Sequence, residues 1–469
     1  MIRSRVLTAS AAIALALGVT SCGAPVSRDQ IAGALARALD ATPKTARVKA
    51  LWPSVRTFYE TREHRLAWRD DDRVDAARAA IDASATHGLA PADYDAAGIA
   101  RAWDAIQKSE SIGDALGAEL AAFDIRVTTA LMALGHDVAV GRTSPSAISS
   151  SWKARRPPPD LAASLSDAVQ RDRLVDWTDA LAPRHPEYAA LRRLLDELRR
   201  VDSPDDARME QVAVNLERWR WMPDDLGDRH LLVNIPAFTL QAREQGETRF
   251  EMRVVVGKRG NETPVFSRDM ETVVFRPYWN IPESIATAET ARLAADDPDY
   301  LARNGIEVLR VSGSGPRRVD PDEIDWEAAD QVKGVLLRQR PGAGNALGNV
   351  KFMLPNRHNV YLHDTPSTSF FKREMRALSH GCVRLAEPAT LAEYVLRDRP
   401  EWTPERIRAA MAGRTEAQVP LRERLPVHIV YFTVVVGADG QPVFLSDVYK
   451  YDARQRRGRG TPGTVAGTE

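Results

Sequence analysis

Cysteine is scarce in this sequence: among 469 residues only Cys22 and Cys382 occur. Two cysteines, one of them at the end of an N-terminal leader pattern, exclude the disulfide framework that stabilises many small secreted domains. Long apolar runs are equally rare. The run from Val6 to Val19 is shorter than the roughly twenty apolar residues that a membrane-spanning helix requires. The sequence therefore predicts folded domains without a transmembrane helix.

The chain also lacks an excess of charge of either sign. Lys+Arg and Asp+Glu both number 64, and removal of Arg3 and Arg5 with a leader leaves 62 against 64, a net charge near −2. Such a balance gives no general attraction to nucleic acid or to an anionic lipid surface. The length exceeds what one hydrophobic core supports, so two or more domains are expected.

Residues 1–21 have the layout of a secretory signal peptide, with Arg3 and Arg5 followed by an apolar run. The ending Val19-Thr20-Ser21-Cys22 resembles a bacterial lipobox, which makes Cys22 the lipidated first residue of the mature chain. Gly23 follows rather than Asp, so nothing marks retention at the inner membrane. We expect a periplasmic protein held by this anchor alone, at the outer membrane rather than the inner one. An ordinary cleaved signal is the alternative.

The chain changes character near residue 205. Residues 29–201 are rich in Ala, Arg and Leu with apolar residues at helical spacing, which predicts an all-helical domain. Residues 206–452 contain many short β-type runs separated by turn residues, which predict a mostly antiparallel sandwich or barrel. The predicted fold class is therefore α+β.

Two further segments stand out by composition. Residues 282–348 interrupt the β-type pattern with a helical stretch and then a Gly/Pro-rich stretch. We expect this insertion to be a helical lid over the site, because it precedes the strands that carry the candidate functional residues. Residues 453–469 are rich in Arg, Gly and Thr and are expected to be a disordered tail.

The candidate nucleophile is Cys382, in Ser379-His380-Gly381-Cys382-Val383-Arg384. His363 lies nineteen residues upstream, so two of the nine histidines of the chain fall within twenty residues of this thiol. A thiol beside histidines is typical of a cysteine nucleophile, since a nearby imidazolium or inward-pointing N–H groups lower its pKa. A buried structural cysteine beside a chance histidine is the alternative.

These residues resemble the catalytic signature of L,D-transpeptidases with a YkuD-type domain. The resemblance covers roughly 206–452 and extends to the long, scaffold-containing branch. It is carried by segments that occur in a shared order: Leu216-Glu217-Arg218-Trp219-Arg220-Trp221, Met252-Arg253-Val254-Val255-Val256-Gly257-Lys258, Thr263-Pro264-Val265-Phe266, Pro277-Tyr278-Trp279-Asn280-Ile281-Pro282 and Tyr361-Leu362-His363-Asp364-Thr365-Pro366.

The helical half resembles the scaffold domain of that branch, through Gly88-Leu89-Ala90-Pro91-Ala92-Asp93-Tyr94 among other segments. Members of this branch often carry a peptidoglycan-binding domain between scaffold and catalytic domain. Here the stretch between Leu198 and Met209 is too short for any domain.

The resemblance implies a reaction on peptidoglycan stem peptides without a cofactor or metal. Cys382 attacks the carbonyl of the third residue, usually a diamino acid, and a terminal D-alanine leaves. His363 acts as general base and then as general acid, and the N–H groups of His380, Gly381 and Cys382 form the oxyanion hole. The amine of a second stem peptide resolves the thioester into a cross-link. The resemblance also implies that carbapenems acylate Cys382.

The supporting residues have alternatives. His380 orients the turn or is a second acid–base group, and Asp364 either places its carbonyl against the His363 ring or only forms a turn. Arg384 holds a stem-peptide carboxylate or makes a structural ion pair. Substrate contacts are expected from four residues of the matching motifs: Tyr361, Arg384, Ser379 and Trp279. His358 and His363 are too poorly spaced to suggest a metal site.

Three functions remain open. The first is the transpeptidase, with stem peptides as partners and cell-wall synthesis proteins as possible partners of the helical half. The second is a cysteine carboxypeptidase or amidase on the same substrate, or a transferase that attaches a lipoprotein to the wall. The third is a non-catalytic wall-binding scaffold, which the intact set of Cys382, His363 and Gly381 argues against.

Overall fold

The computed structural model describes residues 26–153, 156–312, 315–437 and 439–459. The expected signal peptide and Cys22 therefore lie outside the described residues. The described chain forms two compact units, one built from 26–142 and 156–220 and the other from 143–153 and 221–458. No helix among the described residues is long and apolar enough to cross a membrane.

The first unit is helical, and polar caps begin several of its helices. Ser27 and Gln30 form a reciprocal capping box at the first helix, while Thr45 and Asp70 cap the next two through their side-chain oxygens. Short 3₁₀ turns at Ser84–His87 and Pro91–Tyr94 join helices. The helices up to residue 220 are α1 Arg28–Asp40, α2 Ala46–Thr61, α3 Asp71–Ala83, α4 Ala96–Gln107, α5 Gly113–Val140, α6 Pro145–Ile148, α7 Leu161–Gln170, α8 Leu174–Leu181, α9 Pro186–Arg199 and α10 Asp206–Arg220.

Helix α5 is the centre of this unit. It is 28 residues long and is buried on nearly all sides by the helices packed around it. Gly135 makes one of these contacts possible, because an added Cβ would lie 2.6 Å from the ring of Trp177. A helix that is apolar all round is stable only inside a core, so the surrounding helices are required to cover it.

Two boundaries differ from the sequence prediction. Helix α10 belongs to the helical unit rather than to the catalytic one, because Glu217 accepts a hydrogen bond from the Arg142 backbone N–H at 2.8 Å and Arg220 donates to the Tyr188 hydroxyl. Conversely, residues 143–153 leave the predicted helical domain. Trp152 packs in the core of the second unit, with its ring centroid 5.0 Å from that of Trp221.

The second unit is built on strands. They are β1 Arg229–Asn234, β2 Thr239–Glu244, β3 Glu247–Gly257, β4 Phe266–Phe275, β5 Trp279–Asn280, β6 Ile306–Ser312, β7 Gly315–Arg318, β8 Leu336–Gln339, β9 Val350–Met353, β10 Leu362–His363, β11 Ala377–Ser379, β12 Val383–Leu385, β13 Ala417–Val430, β14 Val434–Val436 and β15 Pro442–Phe444. The remaining elements are α11 Glu283–Ile285, α12 Ala291–Asp296, α13 Tyr300–Arg303, α14 Ala329–Lys333, α15 Pro388–Leu396, α16 Pro404–Met411, α17 Tyr451–Arg459, a π-helical turn Ala286–Thr290 and 3₁₀ turns Pro321–Glu323 and Thr368–Lys372.

The main sheet closes on itself. Its nine strands run in the order β11-β3-β12-β10-β9-β4-β13-β1-β2. Because β2 pairs back with β3, the strands from β3 to β2 form a closed, mostly antiparallel ring, and β11 pairs with β3 beside it. Strand β3 makes the closure possible, since its first half pairs with β2 and its second half with β12. Closure leaves few free strand edges and confirms the expected α+β class with a barrel-like sheet.

The insertion at 282–348 is not purely helical, which corrects the sequence prediction. Three short helices and the π-helical turn are followed by strands of a separate four-stranded sheet in the order β5-β8-β6-β7. A small apolar core, which includes Ile281, Leu301, Val308 and Leu337, holds these elements together. The Gly/Pro-rich residues suggested turns only, but they connect short strands.

The predicted disordered tail is wrong for its first residues. Residues 453–459 lie in helix α17, whose Tyr451 is buried against Trp152. Arg454 donates to the carbonyl of Ile148 at 3.1 Å, which gives this basic segment a partner within the unit. Residues 460–469 lie outside the described part of the chain.

Candidate active site

The register of two parallel strands brings the candidate residues together. Leu362 in β10 is paired with Val383 in β12, and His363 with Arg384. Because side chains alternate along a strand, Leu362 and Val383 point into the core, where both are fully buried. Their neighbours Cys382, Arg384 and His363 therefore share the opposite face.

That face lines a cavity of about 690 Å³. The insertion contributes further lining residues, such as Ser284 and Glu289. Most of the predicted site residues border the cavity: Trp279, Tyr361, His363, Ser379, His380, Cys382 and Arg384. A sheet-borne cleft covered by an insertion is a suitable site for a reaction that must limit the access of water.

His363 is buried and held in one orientation. Its Nδ1 is 2.5 Å from the Asp364 carbonyl oxygen, which can only accept, so Nδ1 carries the proton and Nε2 is left with its lone pair. Burial lowers the pKa of His363 to about 3, with further lowering by the positive charges of Arg384 and Lys351. The imidazole is therefore neutral at physiological pH and able to accept a proton.

Cys382 is partly buried, and its resting state is the thiol. Burial raises the pKa of Cys382, while hydrogen bonds from Tyr361 and the positive charge of Arg384 oppose this rise. The Sγ atom lies 3.9 Å from the Asn359 carbonyl oxygen, a weak acceptor contact suited to S–H. The sequence predicted a pKa lowered by a nearby imidazolium, and that prediction is wrong: desolvation dominates and His363 is uncharged.

The turn before Cys382 is fixed by its own hydrogen bonds. Ser379 Oγ donates to the Cys382 carbonyl at 2.6 Å and accepts from the Gly381 N–H at 3.1 Å. Gly381 has φ +118°, a conformation that side-chain-bearing residues avoid. Ser379 therefore stabilises the turn, and the Gly381 N–H is already engaged. A substrate contact of Ser379, which also lines the cavity, stays a prediction. The N–H groups of His380 and Cys382 have no acceptor among the described residues.

Thr263 also holds this turn, and sequence reasoning did not single it out. Its hydroxyl donates to the Gly381 carbonyl at 2.7 Å and accepts from the Gly257 N–H at 2.8 Å. Tyr449 completes the arrangement by donating to the Gly257 carbonyl at 2.6 Å. Thr263 belongs to the Thr-Pro-Val-Phe segment that resembles the family. Membership of this segment was the sequence signal that could have pointed to it.

Arg384 carries a positive charge without a counter-ion among the described residues. Its Nε is buried with no hydrogen-bond partner, and its guanidinium lies 5.7 Å from the ring centroid of Phe370. Burial lowers the pKa of Arg384, which nevertheless remains a cation in proteins. Of the two predicted roles, the structural ion pair is absent here, and the capacity to bind an anion remains.

Asp364 performs both of the roles considered for it. Its backbone carbonyl meets His363, and its carboxylate accepts from the N–H groups of Asn349 and Thr365, both at 2.7 Å. Gly348, with φ +61°, lies so close that an added Cβ would be 2.4 Å from the carboxylate. The Asp364 side chain thus connects the backbone at Asn349, before β9, with the backbone at Thr365, after β10.

Tyr361 and Trp279 extend the site towards the insertion. The ring centroid of Tyr361 is 5.8 Å from that of His363. Burial raises the pKa of Tyr361, and a hydrogen bond with Trp279 acts in the opposite direction. The phenol is therefore always protonated, with Cys382 on one side and Trp279 on the other.

His380 contacts a residue of the insertion that the sequence did not suggest. Its Nε2 is 2.7 Å from Oε1 of Glu289, in the π-helical turn. Nothing in the local sequence marks Glu289, because the contact depends on how the insertion folds. Within the described ranges no group of three or more His, Cys, Asp or Glu side chains is placed to hold a metal ion.

Comparison with known proteins agrees with this architecture. Residues 228–442 match the family model of the L,D-transpeptidase catalytic domain (YkuD), and residues 53–195 match the model of the Scaffold domain. No peptidoglycan-binding domain is matched. The second unit is therefore an L,D-transpeptidase catalytic domain. The chain therefore combines a Scaffold domain with an L,D-transpeptidase catalytic domain, the combination that its sequence motifs predict.

A curated relative extends the match. A putative L,D-transpeptidase of Haemophilus influenzae is 33% identical over 306 residues, which cover 65% of this chain and 60% of that protein. A solved L,D-transpeptidase from Mycobacterium smegmatis aligns at 14% identity over 43% of this chain and 58% of its own, with a TM-score of 0.22. L,D-transpeptidase 1 from Mycobacterium tuberculosis aligns at 14% identity over 43% and 61%, with a TM-score of 0.17. Scores this low do not establish structural equivalence.

Proposed function

We propose that the protein is a peptidoglycan L,D-transpeptidase that joins the third-position diamino acids of two stem peptides through a thioester on Cys382. The observation that carries the proposal is the shared cavity of Cys382 and the neutral, oriented His363. A thiol nucleophile and a base with a free lone pair are the two groups that acyl transfer requires. The family resemblance supplies the substrate class.

The first step forms the thioester. His363 Nε2 takes the proton of the Cys382 thiol as Sγ attacks the carbonyl carbon of the third residue. The C–N bond to the terminal D-alanine then breaks, and the proton passes from His363 to the departing amine. Because burial raises the pKa of Cys382 and lowers that of His363, we expect the proton to move together with the attack.

Two sets of groups in the site can stabilise the negative charges of the reaction, which are the oxyanion and the carboxylate of D-alanine. The N–H groups of Cys382 and His380 are the candidates for the oxyanion hole, since that of Gly381 is held by Ser379. Arg384 is the candidate for binding the carboxylate of the departing D-alanine, because its guanidinium has no counter-ion among the described residues.

In the second step the side-chain amine of another stem peptide attacks the thioester. The C–N bond of the cross-link forms, the C–S bond breaks, and the thiol is restored. Water in place of the amine would make the protein a carboxypeptidase, and a lipoprotein amine would make it a protein-attaching transferase. The cover that the insertion places over the cavity favours the amine over water.

The test is the product analysis of purified sacculi. The full mature protein is incubated with sacculi, which are then digested with a muramidase and examined by mass spectrometry. Dimers linked between third-position residues, with release of D-alanine, are expected. Tripeptide monomers alone would indicate the hydrolase, and a wall-linked peptide of a lipoprotein would indicate the transferase.

A covalent inhibitor gives an independent test of the nucleophile. Carbapenems should acylate Cys382, while simple penicillins should react poorly or reversibly. Intact-protein mass spectrometry followed by peptide mapping locates the adduct. An adduct on any residue other than Cys382 would count against the proposed chemistry.

We also propose that a lipid on Cys22 places the enzyme in the periplasm at the outer membrane. The lipobox-like ending of the leader, Val19-Thr20-Ser21-Cys22, supports this. Cys22→Ser should release the protein into the soluble periplasm and leave its activity on soluble muropeptides unchanged. Fractionation identical to the wild type would show that Cys22 is not lipidated.

A further inference from the structure

The positive and negative charges that line the cavity come from different segments of the chain. Among its lining residues, Arg384 bears the positive charge beside Cys382, and Glu289 is the one with a carboxylate. Glu289 comes from the insertion, whereas Arg384 comes from strand β12. A cavity lined by one cation and one carboxylate can orient a substrate pair that carries both signs of charge.

The Glu289 carboxylate is not isolated. His380 donates from Nε2 to Oε1 at 2.7 Å, because a carboxylate accepts and the proton must therefore lie on the imidazole. The side chain of Glu289 is 49% exposed, so its second oxygen remains accessible to a ligand.

The acceptor of the proposed reaction needs such a pair. An aliphatic amine has a pKa near 10.4 and arrives as an ammonium ion, which cannot attack a carbonyl. It must be bound as a cation and must then lose a proton. Arg384 repels an ammonium ion, so the region around this residue suits the carboxylate of the donor rather than the acceptor amine.

We propose that Glu289 and His380 form the binding subsite for the acceptor amine, an inference that rests on the proposed function. Glu289 binds the ammonium ion, His380 holds the Glu289 carboxylate in place through Nε2, and one proton of the ammonium ion is released to solvent. The nitrogen lone pair attacks the thioester carbon, the C–N bond forms, and the C–S bond breaks. The second proton of the nitrogen goes through His363 to the Cys382 thiolate. The balance is one amide, one thiol and one released proton.

A purely mechanical role for the same contact makes different predictions. In that case Glu289 only connects the insertion to the catalytic turn through its hydrogen bond with His380. The amide oxygen of Glu289→Gln can still accept from His380 Nε2, so this variant should behave as the wild type. If Glu289 binds the ammonium ion, loss of its charge matters even though the hydrogen bond to His380 is kept.

The experiment compares Glu289→Gln with Glu283→Gln, an exposed carboxylate of the same insertion that does not line the cavity. Full-length variants are given a fixed concentration of tetrapeptide donor and increasing concentrations of amine acceptor. Dimers and tripeptides are counted by mass spectrometry. The rate of Cys382 acylation by a carbapenem is measured in parallel.

For Glu289→Gln we expect the dimer-to-tripeptide ratio at low acceptor concentration to fall by about fivefold, the effect of one partly exposed charge contact. A higher acceptor concentration should restore the ratio, and acylation should change by less than about twofold. Partition to hydroxylamine, which is neutral at pH 7, should be unaffected. Glu283→Gln should match the wild type in every assay.

An unchanged ratio in Glu289→Gln would overturn the subsite. So would an equal loss with hydroxylamine, since that nucleophile carries no charge for Glu289 to bind. These outcomes differ from failure of the proposed function itself, in which the wild-type protein makes no dimers or Cys382 is not acylated.

Discussion

The helical unit and the catalytic unit both bury polar side chains, but they use them differently. In the helical unit, Asp124 is fully buried and accepts from the Tyr59 hydroxyl at 2.6 Å and from the N–H groups of Ala67 and Trp68. Thr128 accepts from the Trp68 indole at 2.9 Å. Each of these polar groups has its partner inside the unit, so the network contributes to a unique packing of the helices.

Around the catalytic cavity, several side chains have donors or acceptors that no other described residue uses. The Nε of Arg384 has no partner among the described residues, His363 presents a free lone pair, and Cys382 has only a weak contact to a carbonyl. The comparison shows that burial of a charged group does not by itself mark a functional site. Unused capacity beside a cavity is the better indicator.

The largest expected effect is the loss of chemistry in Cys382→Ala. Without a nucleophile no thioester forms, so cross-linking should fall by at least about a thousandfold. Cys382→Ala should melt at nearly the wild-type temperature, because only a partly buried sulfur is removed. Both quantities are measured on the same preparation. Cross-linking close to the wild-type rate would overturn the assignment of the nucleophile.

The next largest effect concerns stability rather than activity. Asp124→Ala leaves two buried backbone N–H groups without their acceptor and removes one of the two partners of the Tyr59 hydroxyl, the other being Thr128, and we expect a loss of about 3 kcal/mol in the free energy of unfolding of the helical unit. Scanning calorimetry measures this change in the stability of the helical unit. Asp75→Ala, at an exposed position of the same unit, is the control and should change stability by less than about 0.5 kcal/mol. A small effect of Asp124→Ala would mean that its network is not needed.

A smaller effect is expected from Thr263, which connects structure to catalysis. Thr263→Val keeps the shape but loses the hydrogen bond to the Gly381 carbonyl, so the turn is held less precisely and acylation of Cys382 should slow by about tenfold. Thr263→Ser keeps the hydroxyl and should restore most of the rate. The acylation rate by a carbapenem distinguishes them. If both variants slow equally, packing of the methyl group rather than the hydrogen bond is responsible.

The smallest expected effect is a shift in the pH dependence of thiol alkylation. Burial raises the pKa of Cys382, so the rate with iodoacetamide should rise with pH to a midpoint above that of an ordinary thiol. Arg384→Met removes a cation that stabilises the thiolate, so the pKa of Cys382 should rise further and alkylation at pH 7 should slow by up to about tenfold.

Arg373→Met is the matched control for this experiment. Its guanidinium also lies over the Phe370 ring, at 5.1 Å, but it is not among the groups that change the pKa of Cys382. Its profile should coincide with that of the wild type. A midpoint for the wild type below that of a free thiol would show that the thiolate is stabilised more strongly than burial opposes it.

The sequence predicted the α+β class, the position of the two main domains and the strand-rich character of the second. Apolar periodicity and turn residues are local properties, so these features can be derived without tertiary information. The boundaries were less accurate. Trp152 and helix α10 each lie in a different unit from the predicted one, because each is placed by long-range packing rather than by its neighbours in sequence.

The site could be predicted to the extent that its residues lie in the two motifs 361–366 and 379–384. Cys382, His363, Arg384 and Tyr361 were named from spacing and resemblance, and they border one cavity. Thr263 and Glu289 were not named, since each reaches the turn from a segment far away in the chain. Their contribution depends on the closure of the sheet and on the fold of the insertion.

The sequence by itself determined which reactive groups are present and in what order along the chain. Only the tertiary structure decided their protonation states. The sequence suggested a thiolate beside an imidazolium. In the structure, burial raises the pKa of the Cys382 thiol and lowers the pKa of His363 to about 3, which leaves a thiol and a neutral imidazole. The reason is that desolvation depends on everything packed around a group. That packing comes in part from β10, β12 and the insertion, whose residues line the same cavity only after the chain has folded.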